Sequence, residues 1–291
     1  MDSFAGKIAV VTGGGTGMGR ELVVQLAADG CHVAACDVDE DTLAATAERA
    51  RKDTDVRVTT HRCDVSDEAQ VQRFKDEVVA RHETDHVNLV FNNAGIGGGS
   101  SFVTGDRAEW ERTFGVCWWG VYYVSRAFVP LLVASDDGYL VNTSSVNGFW
   151  ANLGNANAHT AYSTAKFAVK GFSEALITDF AVNAPHVKVA VVMPGHIGTE
   201  IVANTVRAQM GDAMTDEMRE QIAQLVKAFR ENAPTSAEEA ATIILDGVRA
   251  GKWRILIGDD AAKLDEIMRA DPEAVYGPNG IEIGSVMGAF R

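Results

Sequence analysis

Short apolar runs alternate with amphipathic stretches along almost the whole chain, and this limits the possible folds more than any other feature. Residues 8–12, 31–37, 56–63, 87–92, 139–144, 187–193 and 254–257 read as strands. Helical periodicity fills the intervals, over about 18–29, 39–53, 66–82, 106–134, 159–182, 199–230 and 236–250, with Ser66 as the candidate N-cap of the third. Strands that are apolar throughout, not alternately, are buried on both faces. Repeated β-α alternation of that kind means an α/β fold with a doubly wound parallel sheet. No repeat, low-complexity stretch or linker interrupts it, so a single domain is expected over 1–258, followed by an extension over 259–291.

The segments that follow the strands carry the chemistry. Thr12-Gly13-Gly14-Gly15-Thr16-Gly17-Met18-Gly19 joins the first strand to the first helix. Glycines there turn the chain tightly and let a diphosphate approach the helix N-terminus, so Gly13, Thr16, Gly17, Met18 and Gly19 are candidate cofactor contacts. The spacing is T-G-x-x-x-G-x-G, not G-x-G-x-x-G. Asp37 ends the second strand, 24 residues after Gly13, where a carboxylate accepts both adenosine ribose hydroxyls. It also repels a 2′-phosphate, and no Lys or Arg lies in the loop or directly after Asp37. NAD is therefore expected in preference to NADP. A turn-starting or capping role is the plainer alternative for Asp37, since Asp39 and Asp41 follow.

Tyr162 and Lys166, four residues apart on one helix, place a phenol and an ammonium on the same face. The ammonium is expected to lower a phenol pKa that is about 10 in free tyrosine. Such a phenol exchanges a proton with an alcohol or ketone.

Together these motifs resemble the short-chain dehydrogenase/reductase family, in its single-domain NAD-dependent branch, from about Lys7 to Thr199 and again at the last strand. The resemblance also rests on Cys63-Asp64-Val65, Asn92-Asn93-Ala94-Gly95, Asn142-Thr143-Ser144-Ser145 and Pro194-Gly195-His196-Ile197-Gly198-Thr199, each following a strand in the family's order. It implies a Rossmann-like sheet of about seven strands in the order 3-2-1-4-5-6-7. Asp64 would hold the adenine amine with Val65 beside it, and Asn92, Ala94 and Gly95 would line ribose and diphosphate. Ser145 would bind the substrate oxygen, Tyr162 would transfer the proton, and Lys166 would hold the nicotinamide ribose. Pro194, Gly195, Ile197 and Thr199 would surround the nicotinamide.

Two departures stand out. The family usually has an asparagine in the long helix where this chain has Cys117, in Val116-Cys117-Trp118-Trp119-Gly120. The asparagine acts there through its main-chain carbonyl, which cysteine keeps, and Cys117 reads as a packed small residue. Ser145 precedes Tyr162 by 17 residues, more than the family's usual spacing. The excess falls in 147–160, where Phe149, Trp150 and Leu153 either loop over the substrate or simply pack. Ser144 is the less favoured catalytic serine.

A formal charge of −14 and a pI near 4.9 argue against nucleic-acid or anionic-membrane partners. Cys31, Cys36, Cys63 and Cys117 lack disulfide or metal spacing, no metal is expected, and no signal peptide or apolar run of 18 residues is evident. The expected location is cytoplasmic. Trp118/Tyr122 and Trp119/Tyr123 form aromatic pairs on the long helix. By the resemblance this helix meets its copy, so a homodimer or homotetramer is expected. Met210, Met214 and Met218 fall where the family keeps a substrate lid, and suggest an adaptable apolar wall. Two functions compete: an NAD(H)-dependent oxidoreductase acting on a fairly apolar secondary alcohol or ketone, and a catalytically impaired NAD-binding regulatory protein on the same scaffold. Ser145, Tyr162 and Lys166 together favour the first.

Overall fold

The computed structural model of the chain describes residues 1–98, 101–152, 158–210, 216–276, 280–281 and 283, without the side chains of 209–210 and 216–218. Leu153 and the side chains of Met210, Met214 and Met218 therefore lie outside the described residues. Seven parallel strands form the central sheet: β1 (Ile8–Thr12), β2 (His32–Asp37), β3 (Val58–Arg62), β4 (Leu89–Asn92), β5 (Gly138–Thr143), β6 (Val187–Pro194) and, at its far edge, Arg254–Ile257. Two short strands, β7 (Ile197–Gly198) and β8 (Thr235–Ser236), pair with each other beside it, which makes the edge strand β9. The main sheet runs β3-β2-β1-β4-β5-β6-β9, the expected order with β9 as the seventh strand.

Side-chain alternation explains why β1 and the middle of β2 are apolar on both faces. Ala9, Val11, Val33 and Ala35 point to one face, where Leu22 and Leu26 of α1 (Gly17–Ala28), Leu43 of α2 (Glu40–Arg51) and Ile244 of α9 (Ala237–Arg249) cover them. Ile8, Val10, Ala34 and Cys36 point to the other, under Phe74 of α3 (Glu68–His82), Phe128 of α5 (Gly120–Val133) and Phe180 of α6 (Thr160–Asn183). Each strand thus feeds two cores. All four cysteines are buried free thiols.

The expected long helix is three pieces. α4 (Arg107–Phe114) runs into a π turn over Gly115–Trp119, and α5 continues. The Gly120 N–H bonds to the Gly115 carbonyl, five residues back. Rings stack from Trp110 to Phe114 and from Trp119 to Tyr123, with an edge contact between Phe114 and Trp119 across the π turn. By length and composition the stretch 107–133 could cross a membrane, but Val121, Val124, Phe128 and Leu132 are buried, the last three in the sheet's core. The 199–230 periodicity resolves into α7 (Ile201–Met210) and α8 (Asp216–Glu231). α3 is capped by Asp67, which accepts from Ala69 and Gln70, instead of by Ser66, whose hydroxyl donates to Asp64 at 2.7 Å. Asp67 is one residue closer to the first free amides.

Under the β3 edge, the Thr59 hydroxyl lies 2.9 Å from Nε2 of both His61 and His82, and His61 Nδ1 lies 2.7 Å from Glu77. Two neutral rings satisfy that arrangement, one accepting from and one donating to the hydroxyl. Burial, reinforced by Arg57, His61, His32 and Arg81, pushes His82 down to about 4. Burial also lowers His61, with Glu77 opposing it. A histidine lowered on folding contributes stability that is present above its unfolded pKa of about 6.5 and is lost as pH falls through the folded value. Between pH 7 and pH 4 the protein should lose about 3 kcal/mol at this site, on top of the loss that carboxylates cause. Urea unfolding of the parent and His82→Gln should show the parent more acid-sensitive; parallel pH profiles would contradict it.

Candidate active site

The C-terminal ends of β1 to β6 open into one cleft of about 1980 Å³. Pockets for drug-sized ligands are roughly 300–1,000 Å³, so this cleft has room for a dinucleotide and a second molecule. At one end lies the glycine loop. Gly13 has φ +65°, and a Cβ there would come within 2.9 Å of the Ala94 Cα. A Cβ on Gly19 would collide with the Gly13 carbonyl oxygen. The loop is thus drawn against the 93–95 segment as no larger residue permits. Thr16 and Met18 line the cleft, while Gly17 and Gly19 are buried at the start of α1. That helix end, which Thr16 does not cap with its side chain, and the glycine approach to it fit a diphosphate.

Asp37 reaches back over this loop. Its carboxylate accepts from Gly15 N at 2.9 Å and Asp39 N at 3.2 Å, and still faces the cleft beside Val38. Asp64 and Val65 line the same end, with the Asp64 carboxylate accepting from Ser66 N and Oγ.

Asn92 differs from the expectation. It is buried between strands, where Nδ2 donates to Ser125 Oγ at 3.0 Å and to Asn142 Oδ1 at 2.8 Å. Its neighbour Asn93 lines the cleft instead and donates to the Thr12 carbonyl at 3.0 Å. Consecutive residues at a strand end face opposite ways, so only one of the two asparagines can reach a ligand. The Thr12 hydroxyl, which opens the glycine motif but whose role the sequence does not show, accepts from Asn93 N and Ala94 N, both at 3.0 Å, and so sets Ala94 and Gly95 at the cleft wall.

At the other end stand Ser145, Tyr162 and Lys166. Ser145 follows β5 in extended backbone and caps a 3-10 turn over Val146–Gly148, accepting from Asn147 N at 3.2 Å. The Ser144 hydroxyl donates to the Lys166 carbonyl at 2.7 Å, which ties it to α6. Ser145 is the serine whose hydroxyl pulls the Tyr162 phenol pKa down.

Lys166 is buried, with Nζ donating to the Thr143 carbonyl at 2.9 Å and lying 5.4 Å from the centre of the Tyr162 ring. The expected lowering of the phenol by this ammonium is not met in the protein alone. Burial pushes Tyr162 up, the Cys117 thiol adds to that, and the Ser145 hydrogen bond pulls it back only in part. Burial also pushes Lys166 down from the ordinary lysine range.

Cys117 lies fully buried inside the π turn, and Sγ donates to the Ile96 carbonyl at 3.2 Å. It is a packed residue. Pro194, Gly195, Ile197 and Thr199 line the cleft beyond β6, held by Asp260, which accepts from His196 N at 2.7 Å. Asp260 opens α10 (Asp259–Ala270). His159 stands edge-on to Tyr162, its ring centre 6.4 Å away.

Phe149 and Trp150 do not hang over the cleft. They pack with Leu264 of α10 and with Val275 and Ile283 of the tail, forming a third small core. Ile283 reaches the cleft wall from there. Arg62, Glu200, Asn204 and Arg207 also line the cleft; their positions in the sequence match no motif, and only the fold brings them together. No group of metal-ligating side chains occurs among the described residues.

Comparison with known proteins agrees with this geometry. The family described as short chain dehydrogenase matches residues 7–210. SadH of Mycobacterium tuberculosis (strain ATCC 25618 / H37Rv), whose name proposes an oxidoreductase, is 38% identical over 270 residues, 92% of each chain. A short chain dehydrogenase/reductase from Burkholderia phymatum, solved in complex with NAD, is 30% identical with a TM-score of 0.81, over 96% of this chain and 98% of that one. A Burkholderia cenocepacia short chain dehydrogenase solved with NADP shares the fold at 22% identity and a TM-score of 0.71, over 95% and 98% of the two chains. With the glycine loop, the serine turn and the Tyr162–Lys166 helix gathered at one end of a single parallel sheet, the chain belongs to the short-chain dehydrogenase family.

Proposed function

We propose that the protein is an NAD(H)-dependent oxidoreductase that interconverts a fairly apolar secondary alcohol and its ketone. The observation that carries this reading is that Ser145, Tyr162 and Lys166 line one end of the same cleft, with Lys166 beneath the Tyr162 ring and room for two ligands. A bound nicotinamide cofactor supplies or accepts the hydride; the protein supplies position and a proton. With its pKa held up by burial, Tyr162 is protonated at ordinary pH and is ready to donate to the oxygen of a ketone becoming an alcohol. Ser145 accepts from Asn147 N and is fixed to orient that oxygen. Lys166 lies where it can hold a ribose hydroxyl and stabilise the phenolate left after proton transfer. Ile96, Val146, Val202, Phe229 and Ile283 give the cleft apolar walls, which supports an apolar substrate. Exposed Trp119, Val133 and Phe167 support a homodimer or homotetramer contact. A cytoplasmic location rests on the sequence.

The test is NADH absorbance against a panel of secondary alcohols and ketones; no turnover with any member would contradict the proposal. The cofactor preference has its own test. Charge-assisted hydrogen bonds of the Asp37 type are worth roughly 1.5–3 kcal/mol. NAD(H) should therefore exceed NADP(H) by about 10–100-fold in kcat/KM. Asp37→Ala, ideally with Val38→Arg, should narrow or invert the ratio, mostly through KM. Equal use of both cofactors by the parent would make Asp37 a turn residue only.

A further inference from the structure

α7 lies across the cleft and is tied down on both sides. On the glycine-loop side, Asn204 Nδ2 donates to Thr16 Oγ1 at 2.9 Å, and Arg207 Nη1 pairs with Asp39 at 2.7 Å. On the far side, the Thr205 hydroxyl accepts from Gly97 N at 2.7 Å, and Arg112 donates to the Ala208 carbonyl. The residue just before α7 makes the most telling contact. Glu200 Oε2 accepts from the N–H of Gly17, the first residue of α1, at 2.9 Å. Its Oε1 faces Arg20 Nη2 at 3.4 Å, and the side chain is only 19% exposed. Thr199 sits so close that a Cβ on Gly17 would fall 3.1 Å from its own Cβ.

An N–H that opens a helix is a receptor for an anion, because the helix dipole and the free donor act together. Here one of the protein's own carboxylates has taken it. We infer that Glu200 is a built-in competitor for the diphosphate of a dinucleotide, and that the cofactor must displace it, and with it the start of α7, to bind. The inference rests on the dinucleotide reading given above. A diphosphate reaching Gly17 N cannot share that single donor with Glu200, and the two like charges repel. Arg20, already beside Oε1, offers the displaced carboxylate a partner. Cofactor arrival is therefore coupled to release of the segment over the substrate end. The measured affinity is lower than the intrinsic one by the fraction of molecules in which Glu200 has let go.

The test measures binding of ADP, adenosine and NADH to the parent, Glu200→Gln and Glu200→Ala. Both variants should bind ADP and NADH about tenfold more tightly, as expected when a competing charge-assisted hydrogen bond is removed. Adenosine, which has no phosphate to compete at Gly17, should gain less than half as much. Amide exchange over 201–208 should be faster in ligand-free Glu200→Ala than in the parent, and ADP should speed it in the parent. Unchanged or weaker ADP binding in both variants, or equal gains for ADP and adenosine, would overturn the inference while leaving the oxidoreductase reading intact. If the parent binds neither ADP nor NADH, the oxidoreductase reading falls first and this one with it.

Discussion

Tyr162→Phe should remove turnover while leaving NADH binding nearly unchanged. The substitution deletes one oxygen, the proposed proton donor, and keeps the ring beside Lys166 and His159. Proton transfer by a placed side chain is typically worth about 10²–10⁴ in rate, so kcat should fall by that factor. Titration of NADH fluorescence on the same preparation separates loss of chemistry from loss of cofactor. Near-parental turnover in purified Tyr162→Phe would show that another group moves the proton.

Trp150→Ala should strongly destabilise the small third core behind the serine turn. The indole is fully buried, donates through Nε1 to the Asn152 carbonyl at 2.7 Å, and packs where the serine turn, α10 and the tail meet. Emptying such a site costs about 3–5 kcal/mol. The Trp150 carbonyl also accepts from Asn147 Nδ2 at 3.0 Å, so the turn that holds Ser145 should loosen and kcat should fall with stability. Trp150→Phe, which keeps most of the packing, should recover most of both. Denaturant unfolding with kinetics on the three proteins checks this, and a parental midpoint for Trp150→Ala would contradict it.

How much of this was legible depended on distance along the chain. β1 announced itself because Ala9 and Val11 feed one core while Ile8 and Val10 feed the other, leaving no polar position among them to confuse the pattern. Gly13, Asp37, Ser145, Tyr162 and Lys166 were readable because each follows or faces a strand end at a recognisable spacing. The choice between Asn92 and Asn93 was not readable, since a strand's exit direction decides which side chain turns inward. Nor was the fate of Phe149 and Trp150, whose partners Val275 and Ile283 lie far downstream. Glu200 and Arg207 belong to the same class: Gly17 and Asp39, which they meet, come from the opposite end of the sequence. The Tyr162 pKa failed for a different reason. Spacing reports which charges are neighbours and says nothing of how much water remains around them.

The aromatic ladder along the compound helix steps from Trp110 to Phe114, to Trp119, to Tyr123, in intervals of four, five and four residues. The interval of five spans the π turn, which in genetic terms is a one-codon insertion into an ordinary helix. What is constrained there is therefore a count and not a residue type. Deleting any one residue of 115–119 would rotate everything before it by about 100° relative to everything after. Either the ring ladder or the inward placement of Cys117 would then be lost. An aligned relative one residue shorter in this stretch should have a different surface on this helix, however similar its remaining sequence.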